Sequence, residues 1–426
     1  MPKRNSNKPV PPIRVRPDKD RIVEIRKYKV ITPLYGGGVE PEQADPITVV
    51  RASEIRGHLR FWWRATRGGA FGGSLEKMRR REEEIWGSAG GKGKAGPSQV
   101  SIRVMAAQRG TELREVKTSR GTLEYGDPMS PYGYVAFPLR KTDDKPAGAV
   151  REKVTFSIEI RYPKEIAPDV QAALWAWETF GGIGARTRRG FGALQRQEGD
   201  EILKAHELRE YIARKLNSEE YLSTGPWPAG VPHLTKNAYV LTAVKTSPDE
   251  AWRTLFEALK SFRQDRKTKL IKGKEKPFGR SKWPEPDEIR RLTNTHAKGH
   301  EPSHPVRKFP RGQFGLPIIF KFKDDTKGDP PKTTLEGAAS DRLSSPLILR
   351  PIACADGAVG LALLLEWEPL NPDDEPYTPP GGLRLKDTWL DEPVQSTLEP
   401  DEAKHIPVLN GQTDVLQAFL DYVKGE

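Results

Sequence analysis

Cysteine is almost absent from this sequence of 426 residues, in which Cys354 is the single one. One cysteine can form neither an internal disulfide nor a cysteine-based zinc site. Because Cys354 lies in the apolar run LILRPIACA, we expect it to be a buried structural thiol. The scarcity of cysteine favours a reducing compartment. Hydrophobic residues reach only 36%, and no run approaches the ~18 apolar residues of a membrane span. Residues 1–19 are basic and proline-rich without an apolar core, so we expect no signal peptide and a cytoplasmic location.

Patterns that carry catalysis are also missing. The sequence contains no His, Asp and Glu cluster with metal-ligand spacing, no G-x-S-x-G and no Walker G-K-[ST]. The acid pairs at 143–144, 324–325 and 373–374 lie in polar, proline-rich loops, where we expect them to be solvated. Arginine offers no general base near neutral pH. We therefore predict a binding protein without metal or cofactor, and not an enzyme.

What the sequence has in excess is positive charge. Lysine and arginine total 70 against 58 aspartate and glutamate residues, which gives a formal net charge of +12. This balance favours a polyanionic partner, because each phosphate that the protein neutralises releases counterions. A basic scaffold that contacts acidic proteins would have the same balance, so both alternatives stay open at this point.

The order of predicted elements is similar in the two halves of the chain. Each half reads roughly as strand, helix, strands, helix and strand, which is typical of an α+β ferredoxin-like (βαββαβ) module, also used by RNA-recognition domains. We therefore predict two tandem ferredoxin-like domains with long insertions. The units are a flexible basic arm (1–19), an N-terminal domain (20–221), a linker (222–236), and a C-terminal domain (237–426) with insertions at 263–311 and 369–405.

A basic helix is predicted after Ser53, the expected N-cap, because EIRGHLRFWWRAT has helical periodicity. The residues expected in the core share one face: Ile55, Leu59, Trp62, Trp63 and Thr66. Four arginines share another face: Arg56, Arg60, Arg64 and Arg67. No acidic residue is interleaved to pair with them at i,i+4 spacing. Since guanidinium groups pair with phosphate oxygens in bidentate fashion, we favour a phosphate-tracking surface over a solvated basic stripe.

Two neighbours of this arginine stripe raise further questions. Gly57 has no side chain, which would let another backbone approach the helix. His58 flanks the apolar face and could be the acid–base group of a metal-independent endoribonuclease. No second histidine or obvious acid lies nearby in the sequence to orient it, so we favour a partly buried histidine that bonds to backbone.

The densest motif is GGIGARTRRGFG at 181–192, with three arginines among its glycines. It follows a predicted helix, so it is not a dinucleotide fingerprint, which follows a strand and precedes a helix. A helix end with positive φ explains Gly181 or Gly182. The other glycines would let a phosphate approach backbone N–H groups, and the arginines would supply charge. The predicted contacts of this loop are Gly184, Arg186, Thr187, Arg188, Arg189 and Gly190.

These motifs together resemble the RAMP superfamily of CRISPR RNA-binding proteins, in which a glycine-rich loop follows the final helix of a ferredoxin-like domain. IRGHLRFWWRAT, preceded by Arg51, is similar to the early helix of one RAMP family, the terminal, target-3′-end subunits of the type III-B (Cmr) effector complex. EEEIWGSA and GGIGARTRRGFG fit the same family, and FGLPIIF and RLSSPLILR resemble its second-domain signatures. The matching blocks are scattered over residues 21–352.

The resemblance implies two ferredoxin-like domains and a subunit without a nuclease role. It implies binding to guide RNA and target RNA at the far end of their duplex, beside other RAMP subunits, and no membrane partner. Phe309 and Phe314 would stack on bases or else be ordinary strand-start aromatics. Carried over by position, Arg56, His58, Arg60 and Arg64 would line one RNA-facing surface with Arg186, Arg188 and Arg189. The full set of predicted RNA-binding residues is Arg51, Arg56, His58, Arg60, Arg64, Arg67, Gly184, Arg186, Thr187, Arg188, Arg189, Gly190, Arg307, Lys308, Arg311, Arg342, Ser344 and Ser345.

Overall fold

A computed structural model describes most of the chain. The described residues are 20–38, 45, 47–88, 96–119, 121–197, 202–271, 274–370, 373–379, 381–386 and 393–425, without the side chains of 267–278. The predicted basic arm at 1–19 lies outside them. None of the described helices combines the length and the apolar character that crossing a membrane requires.

The elements form a mixed α/β fold with antiparallel sheets. The helices are α1 (Ala52–Arg67), α2 (Leu75–Trp86), α3 (Ala167–Phe180), α4 (Ala205–Leu216), α5 (Pro248–Arg263), α6 (Glu285–Thr293), α7 (Pro400–Ala403) and α8 (Val415–Lys424). The strands are β1 (Arg21–Val30), β2 (Leu34–Tyr35), β3 (Ser101–Gln108), β4 (Thr111–Leu113), β5 (Glu115–Thr118), β6 (Gly121–Glu124), β7 (Val150–Glu152), β8 (Thr155–Pro163), β9 (Leu194–Arg196), β10 (Tyr239–Leu241), β11 (Arg266–Ile271), β12 (Lys274–Ser281), β13 (Ile318–Phe320), β14 (Thr333–Gly337), β15 (Leu347–Cys354), β16 (Gly357–Leu364) and β17 (Leu383–Lys386).

The first half of the chain, β1 to α4, is built on a four-stranded antiparallel sheet in the order β3–β8–β1–β9. β1 lies inside because it pairs with β8 from Arg21 to Lys29 and with β9 along its other edge. Side chains alternate along β1, so Tyr28 and Val30 enter the core while Lys29 faces solvent. α1 and α3 cover the buried face. Along the chain these elements run strand, helix, strand, strand, helix, strand.

The predicted core face of α1 is confirmed. All of its members are buried: Ile55, Leu59, Trp62, Trp63 and Thr66. The helix begins at Ala52 after Arg51, so Ser53 lies within the first turn and is not the N-cap. The helix therefore contributes a mostly apolar face with two tryptophans to the core, and its arginines lie on other faces.

The second half, β10 to α8, is centred on the three-stranded antiparallel sheet β10–β16–β15. α5 and α8 pack on it through Leu259, Phe262 and Phe419. The runs PLILRPIAC and GAVGLALLLEWE predict two strands that pair as a hairpin; β15 and β16 form this hairpin, and Cys354 at its turn is buried. Burial raises the pKa of this thiol to about 11, which fits a structural role. Within the described residues, this sheet has no fourth strand.

The predicted insertions contain helices and strands, and the predicted linker makes backbone hydrogen bonds to both halves. The stretch 263–311 holds β11, β12 and α6, and 369–405 holds β17 and α7. α6, β14 and β17 share a small apolar cluster around Ile289, Leu335 and Leu385. Residues 222–236 join the halves, because Leu234 N donates to Ala65 O (3.0 Å) and His233 N to Glu366 O (2.8 Å).

The halves also meet through a buried arginine. Arg350, in the middle of β15, is 1% exposed and donates to Glu178 O (2.9 Å), Gly181 O (2.6 Å) and Leu194 O (2.7 Å) of the first half. Burial lowers its pKa to about 9, which leaves the guanidinium charged at neutral pH. A charged donor that is removed from water must find acceptors, so these carbonyls hold the halves in register.

Replacing Arg350 with methionine should destabilise the full chain. The change keeps an apolar side chain of similar length but removes four hydrogen bonds, three of them to the first half, and leaves buried carbonyl oxygens without these donors. We expect the free energy of unfolding to fall by about 3–5 kcal/mol, measured by urea denaturation. The control is Arg253→Met on α5, where an exposed pair with Glu257 is lost, and about 0.5 kcal/mol or less is expected. Equal unfolding midpoints for the two variants would contradict the role of Arg350.

Candidate nucleic-acid interface

The glycine loop, residues 181–192, meets the N-terminal part of α1. Glu54 of α1 accepts a hydrogen bond from Gly184 N on Oε1 (2.6 Å), across 130 residues of sequence. The Arg188 guanidinium lies over the ring of Phe61, 5.4 Å from its centroid. The structure thus brings together the two segments that the sequence predicted to share a surface.

The glycines of the loop are explained mainly by its own packing. Gly181 ends α3 with φ −96°, and Gly182 has no positive φ either, so the expected left-handed helix end is wrong. Positive φ occurs further on, at Gly184, Gly190 and Gly192. A Cβ on Gly192 would lie 1.8 Å from Ile183 O, and one on Gly190 would lie 2.4 Å from Trp252 Nε1. These close contacts demand glycine whether or not a phosphate binds.

Two arginines of the loop reach into the second half. Thr187–Arg189 form a single 3-10 turn between left-handed Arg186 and Gly190. Arg188 donates to Ser345 O, and Arg189 Nη1 donates to Leu347 O (3.0 Å). Trp252 Nε1 of α5 donates to the carbonyl of Arg189 (2.7 Å). The loop is therefore part of the contact between the halves as well as a charged surface.

The arginines of the loop form no ion pair with a carboxylate among the residues described. Burial lowers the pKa of Arg186, Arg188 and Arg189, and the acid that does touch the loop, Glu54, accepts the backbone N–H of Gly184. Arg189 is the most shifted, to about 9. The Arg186 guanidinium lies 4.8 Å from the ring centroid of Phe137, which is 54% exposed. Partly desolvated cations without a counterion create a strong attraction for an anion.

The arginine stripe of α1 differs from this loop, because other elements supply acids to it. Glu82 of α2 is buried, and its Oε1 pairs with both Arg60 Nε (2.7 Å) and Arg64 Nη1 (2.6 Å). Arg67 lies 3.9 Å from Asp169 and donates to Glu219 O (2.7 Å). None of the described ion pairs of this stripe uses an acid of α1; the acids come from distant parts of the chain, which the spacing along the helix could not reveal.

Other members of the α1 region have smaller contacts. Arg56 donates to Val100 O at 3.5 Å, and Arg51 donates to Gly37 O in the loop after β2. The face of α1 turned towards the glycine loop carries Glu54, His58 and Phe61, whereas Arg60 and Arg64 turn towards α2. Only part of the predicted α1 surface therefore adjoins the glycine loop.

His58 has an acidic neighbour that the sequence interpretation missed. Its Nε2 lies 3.9 Å from Glu54 Oε1, one helical turn earlier, and its ring stacks over Trp177. The i,i+4 spacing of Glu54 and His58 was the signal that could have revealed this pair. The same carboxylate oxygen accepts Gly184 N, so Glu54 connects the histidine to the loop.

The predicted residues of the second half fall into two groups. Ser345 adjoins the loop through its carbonyl, and the exposed Ser344 and Arg342 precede it. The others lie near α6 and α7: Lys308 pairs with Glu402 (2.9 Å), Arg311 pairs with buried Glu285 (3.0 Å), and Arg307 is exposed.

The aromatic residues of the second-half segment are core residues. Phe309 is 0% and Phe314 1% exposed, so the stacking interpretation of these two rings was wrong. The rings that do lie beside loop arginines are Phe61 and Phe137. Phe61 adjoined the core tryptophans in the sequence pattern, whereas nothing in the sequence around Phe137 indicated its place.

A cleft of about 190 Å³ opens where α1, the glycine loop and β15 meet. Its lining residues are His58, Phe61, Trp62, Phe180, Gly181, Thr187, Arg188 and Ile348. Four of them carry aromatic rings, and Arg188 is its cationic member. The cleft can therefore accept a flat ring system next to an anionic group.

One cluster of potential metal ligands lies elsewhere. His300, Asp324 and Asp329 have ligand atoms within 4.8 Å of one another. Asp329 already accepts two hydrogen bonds from Arg290 (2.9 and 3.0 Å) and one from His300 (2.8 Å). The guanidinium occupies the place of a cation at this carboxylate, so we assign the cluster a structural role.

Most of this interface lies in a segment that matches a known protein family. Residues 27–195 match the model of the RAMP superfamily, and this segment contains α1, α3 and the whole glycine loop. The resemblance to the RAMP superfamily is confirmed. The matched residues, 27–195, also span most of the four-stranded sheet that positions the glycine loop.

Two curated proteins to which this chain is similar come from Pyrococcus furiosus. The CRISPR system Cmr subunit Cmr1-2 is 24% identical over 187 residues, which are 41% of this chain and 95% of the relative. The CRISPR system Cmr subunit Cmr1-1 is 24% identical over 154 residues, which are 34% of this chain and 40% of the relative.

Solved structures with a similar chain include two from CRISPR systems. The crystal structure of Cmr1 from Pyrococcus furiosus in its apo form has a TM-score of 0.45 and 18% identity, over 83% of this chain and 90% of that one. A chain of the type III-B Cmr-beta complex bound to cognate target RNA, solved by cryo-EM, has a TM-score of 0.45 and 12% identity. The similarity covers 94% of this chain and 100% of that one.

A methyl group added to the glycine loop should lower the free energy of unfolding where the loop is tightly packed. For Gly190→Ala, the new Cβ would approach Trp252 Nε1 and Leu349 O at positive φ, so we expect a loss of about 2 kcal/mol or more in unfolding free energy. In Gly57→Ala, nothing lies within 4 Å of the added Cβ on α1, so we expect a gain of about 0.5–1 kcal/mol. Thermal denaturation of both variants decides this, and a neutral Gly190→Ala would contradict the packing of the loop.

Proposed function

We propose that this chain is an RNA-binding subunit of a type III-B CRISPR ribonucleoprotein effector complex and has no nuclease role of its own. It binds guide RNA and target RNA near the target 3′ end, beside other RAMP subunits. The observation that carries the proposal is the glycine loop, where Arg186, Arg188 and Arg189 lie partly desolvated without a described carboxylate partner. Phosphate is the anion that such guanidinium groups bind best.

The fold and the relatives support this proposal. The order β3–β8–β1–β9, with the chain order strand, helix, strand, strand, helix, strand, is that of a ferredoxin-like domain. β10, α5, β15, β16 and α8 follow the same order without a final strand among the described residues, which supports a second such domain. The relatives from Pyrococcus furiosus carry the name of Cmr subunits.

We expect the three loop arginines to contribute unequally to RNA binding. Arg188 and Arg189 already donate to carbonyls of the second half, so they position the loop and retain their charge. Arg186 lies over Phe137, and its guanidinium forms no hydrogen bond or ion pair with another described residue, so we expect its accessible donors to be the most available for RNA. Contacts of this kind hold the sugar–phosphate backbone and carry little sequence information. We therefore expect binding that depends on salt more than on sequence.

Neutralising Arg186 should weaken RNA binding without unfolding the protein. For Arg186→Gln, we expect affinity for single-stranded RNA to fall about five- to tenfold. The slope of log K against log salt should decrease by about 0.7 if one phosphate contact is lost. Fluorescence anisotropy at several salt concentrations measures both quantities.

The control for Arg186→Gln is Arg80→Gln on α2, where an exposed arginine pairs with Glu84 (3.7 Å). It removes the same charge from the protein but not from the loop, so affinity and slope should stay near those of the unmodified chain. Equal effects of the two changes would mean that Arg186 acts only through the net charge of the protein and not through a contact of the loop with RNA. If neither the protein nor its variants bind RNA, but the protein binds acidic proteins, it is better explained as a basic scaffold.

The second candidate function is a metal-independent endoribonuclease, which the pair of His58 and Glu54 at 3.9 Å favours. The RNA-holding function predicts no cleavage of single-stranded RNA by the purified chain in EDTA, scored on denaturing gels, and the same result for His58→Ala. Cleavage that is present in the unmodified protein and lost in His58→Ala would establish the nuclease instead.

A further inference from the structure

The glycine loop pairs its arginines with phenylalanine rings on two sides. Arg188 lies over Phe61 of α1, and Arg186 lies over Phe137 of the 3-10 turn Phe137–Leu139, with guanidinium-to-centroid distances of 5.4 and 4.8 Å. Phe61 is partly buried beside the cleft and Phe137 is exposed. Alternating cationic and aromatic groups of this kind are typical of proteins that hold unpaired bases.

The cleft beside Arg188 has the size of a single ring system. Its volume of about 190 Å³ is smaller than the ~300 Å³ at which pockets for whole small molecules begin. Trp62 and Phe180 are almost fully buried and form its floor, while His58, Phe61 and Arg188 are partly accessible. A base can therefore enter, whereas its ribose and phosphate stay outside near the loop.

We infer that this cleft binds one unstacked nucleobase of single-stranded RNA, whose adjoining phosphate is held by the loop arginines. The inference rests on the proposed function and deepens it, because it names the form of RNA that the loop takes. A base within a duplex is stacked on both faces and paired at its edge, so it cannot enter the cleft. The chain therefore binds where base pairing ends or is interrupted.

The charge of the site selects a nucleotide over an apolar peptide side chain. Arg188 and Arg186 bring two positive charges to the rim, and neither forms an ion pair with a described carboxylate; Glu54 nearby is engaged by Gly184 N and His58. An apolar side chain would leave both charges without a partner, whereas a nucleotide supplies an anion beside its ring. Few polar groups line the cleft, namely His58, Thr187 and Arg188, so we expect it to tolerate all four bases.

The test uses short single-stranded RNAs that carry one 2-aminopurine at successive positions, mixed with the full chain. Stacking of this base on aromatic groups changes its fluorescence, so one position should respond more than its neighbours. A blunt duplex of the same sequence should give no such response. Phe61→Leu keeps an apolar side chain but removes the ring, and should abolish the response and weaken binding about five- to fiftyfold.

The control is Phe71→Leu, which changes a partly buried ring just after α1 that lies against Trp63 and outside the cleft. It should retain the fluorescence response and most of the affinity. RNA binding by Phe61→Leu with an unchanged response would overturn the base site and leave the proposed function standing. Absence of RNA binding in the unmodified chain would overturn both.

A second measurement needs no variant and so does not depend on folding of Phe61→Leu. Single-stranded RNA with 5-bromouridine at the responding position is irradiated on the unmodified protein, and the crosslinked peptide is mapped by mass spectrometry. The inference predicts crosslinks in the peptides that contain His58, Phe61 or Phe180. Crosslinks confined to other surfaces would refute it even if affinity is high.

Discussion

Arginine side chains that are solvated by the carbonyls of the opposite half hold this molecule together. Arg350 of the second half donates to three carbonyls around the end of α3 and β9. Arg188 and Arg189 of the first half donate in the other direction, to Ser345 and Leu347. A guanidinium that is removed from water needs acceptors, so each set restricts the position of the other half. The conformation of the glycine loop depends on this exchange.

The use of carbonyls as acceptors has an electrostatic result. A carboxylate partner would fix a guanidinium and cancel its charge, as Glu82 partly does for Arg60 and Arg64. A carbonyl fixes the group and leaves its full charge to act on other molecules. The loop can thus be rigid and strongly cationic at once. This difference separates the arginines of the loop from those of the α1 stripe, although composition makes both segments look alike.

Sequence periodicity predicted those parts of the fold that depend on neighbours along the chain. It placed the core face of α1 and the hairpin of β15 and β16, because side-chain period and turn spacing are local properties. The family resemblance, and not periodicity, placed α1 and the glycine loop on one surface, and Glu54 and Phe61 of α1 do contact the loop. Which face of α1 meets the loop was not predictable, because it depends on α2 and on Glu82.

Long-range packing decided the remaining points. Phe314 lies among basic residues in the sequence but enters the core against Phe262 and Phe419, since local charge does not determine burial. Gly190 and Gly192 suggested room for a ligand but are required by neighbouring atoms of the protein. A charged residue within the apolar strand LILRPIAC was the visible sign of Arg350, and its meaning came only with the carbonyls opposite it.

The distance along the chain between Arg350 and its acceptors affects how the protein is made. Leu194 leaves the ribosome 156 residues before Arg350. At typical rates of ~5–20 residues per second, the nascent first half waits roughly 8–30 s for this side chain. During that interval the carbonyls at the end of α3 lack their guanidinium, and the glycine loop has no second half to rest on. The loop acquires its final shape only as synthesis of the second half nears completion, so an unfinished chain would not yet present the finished site.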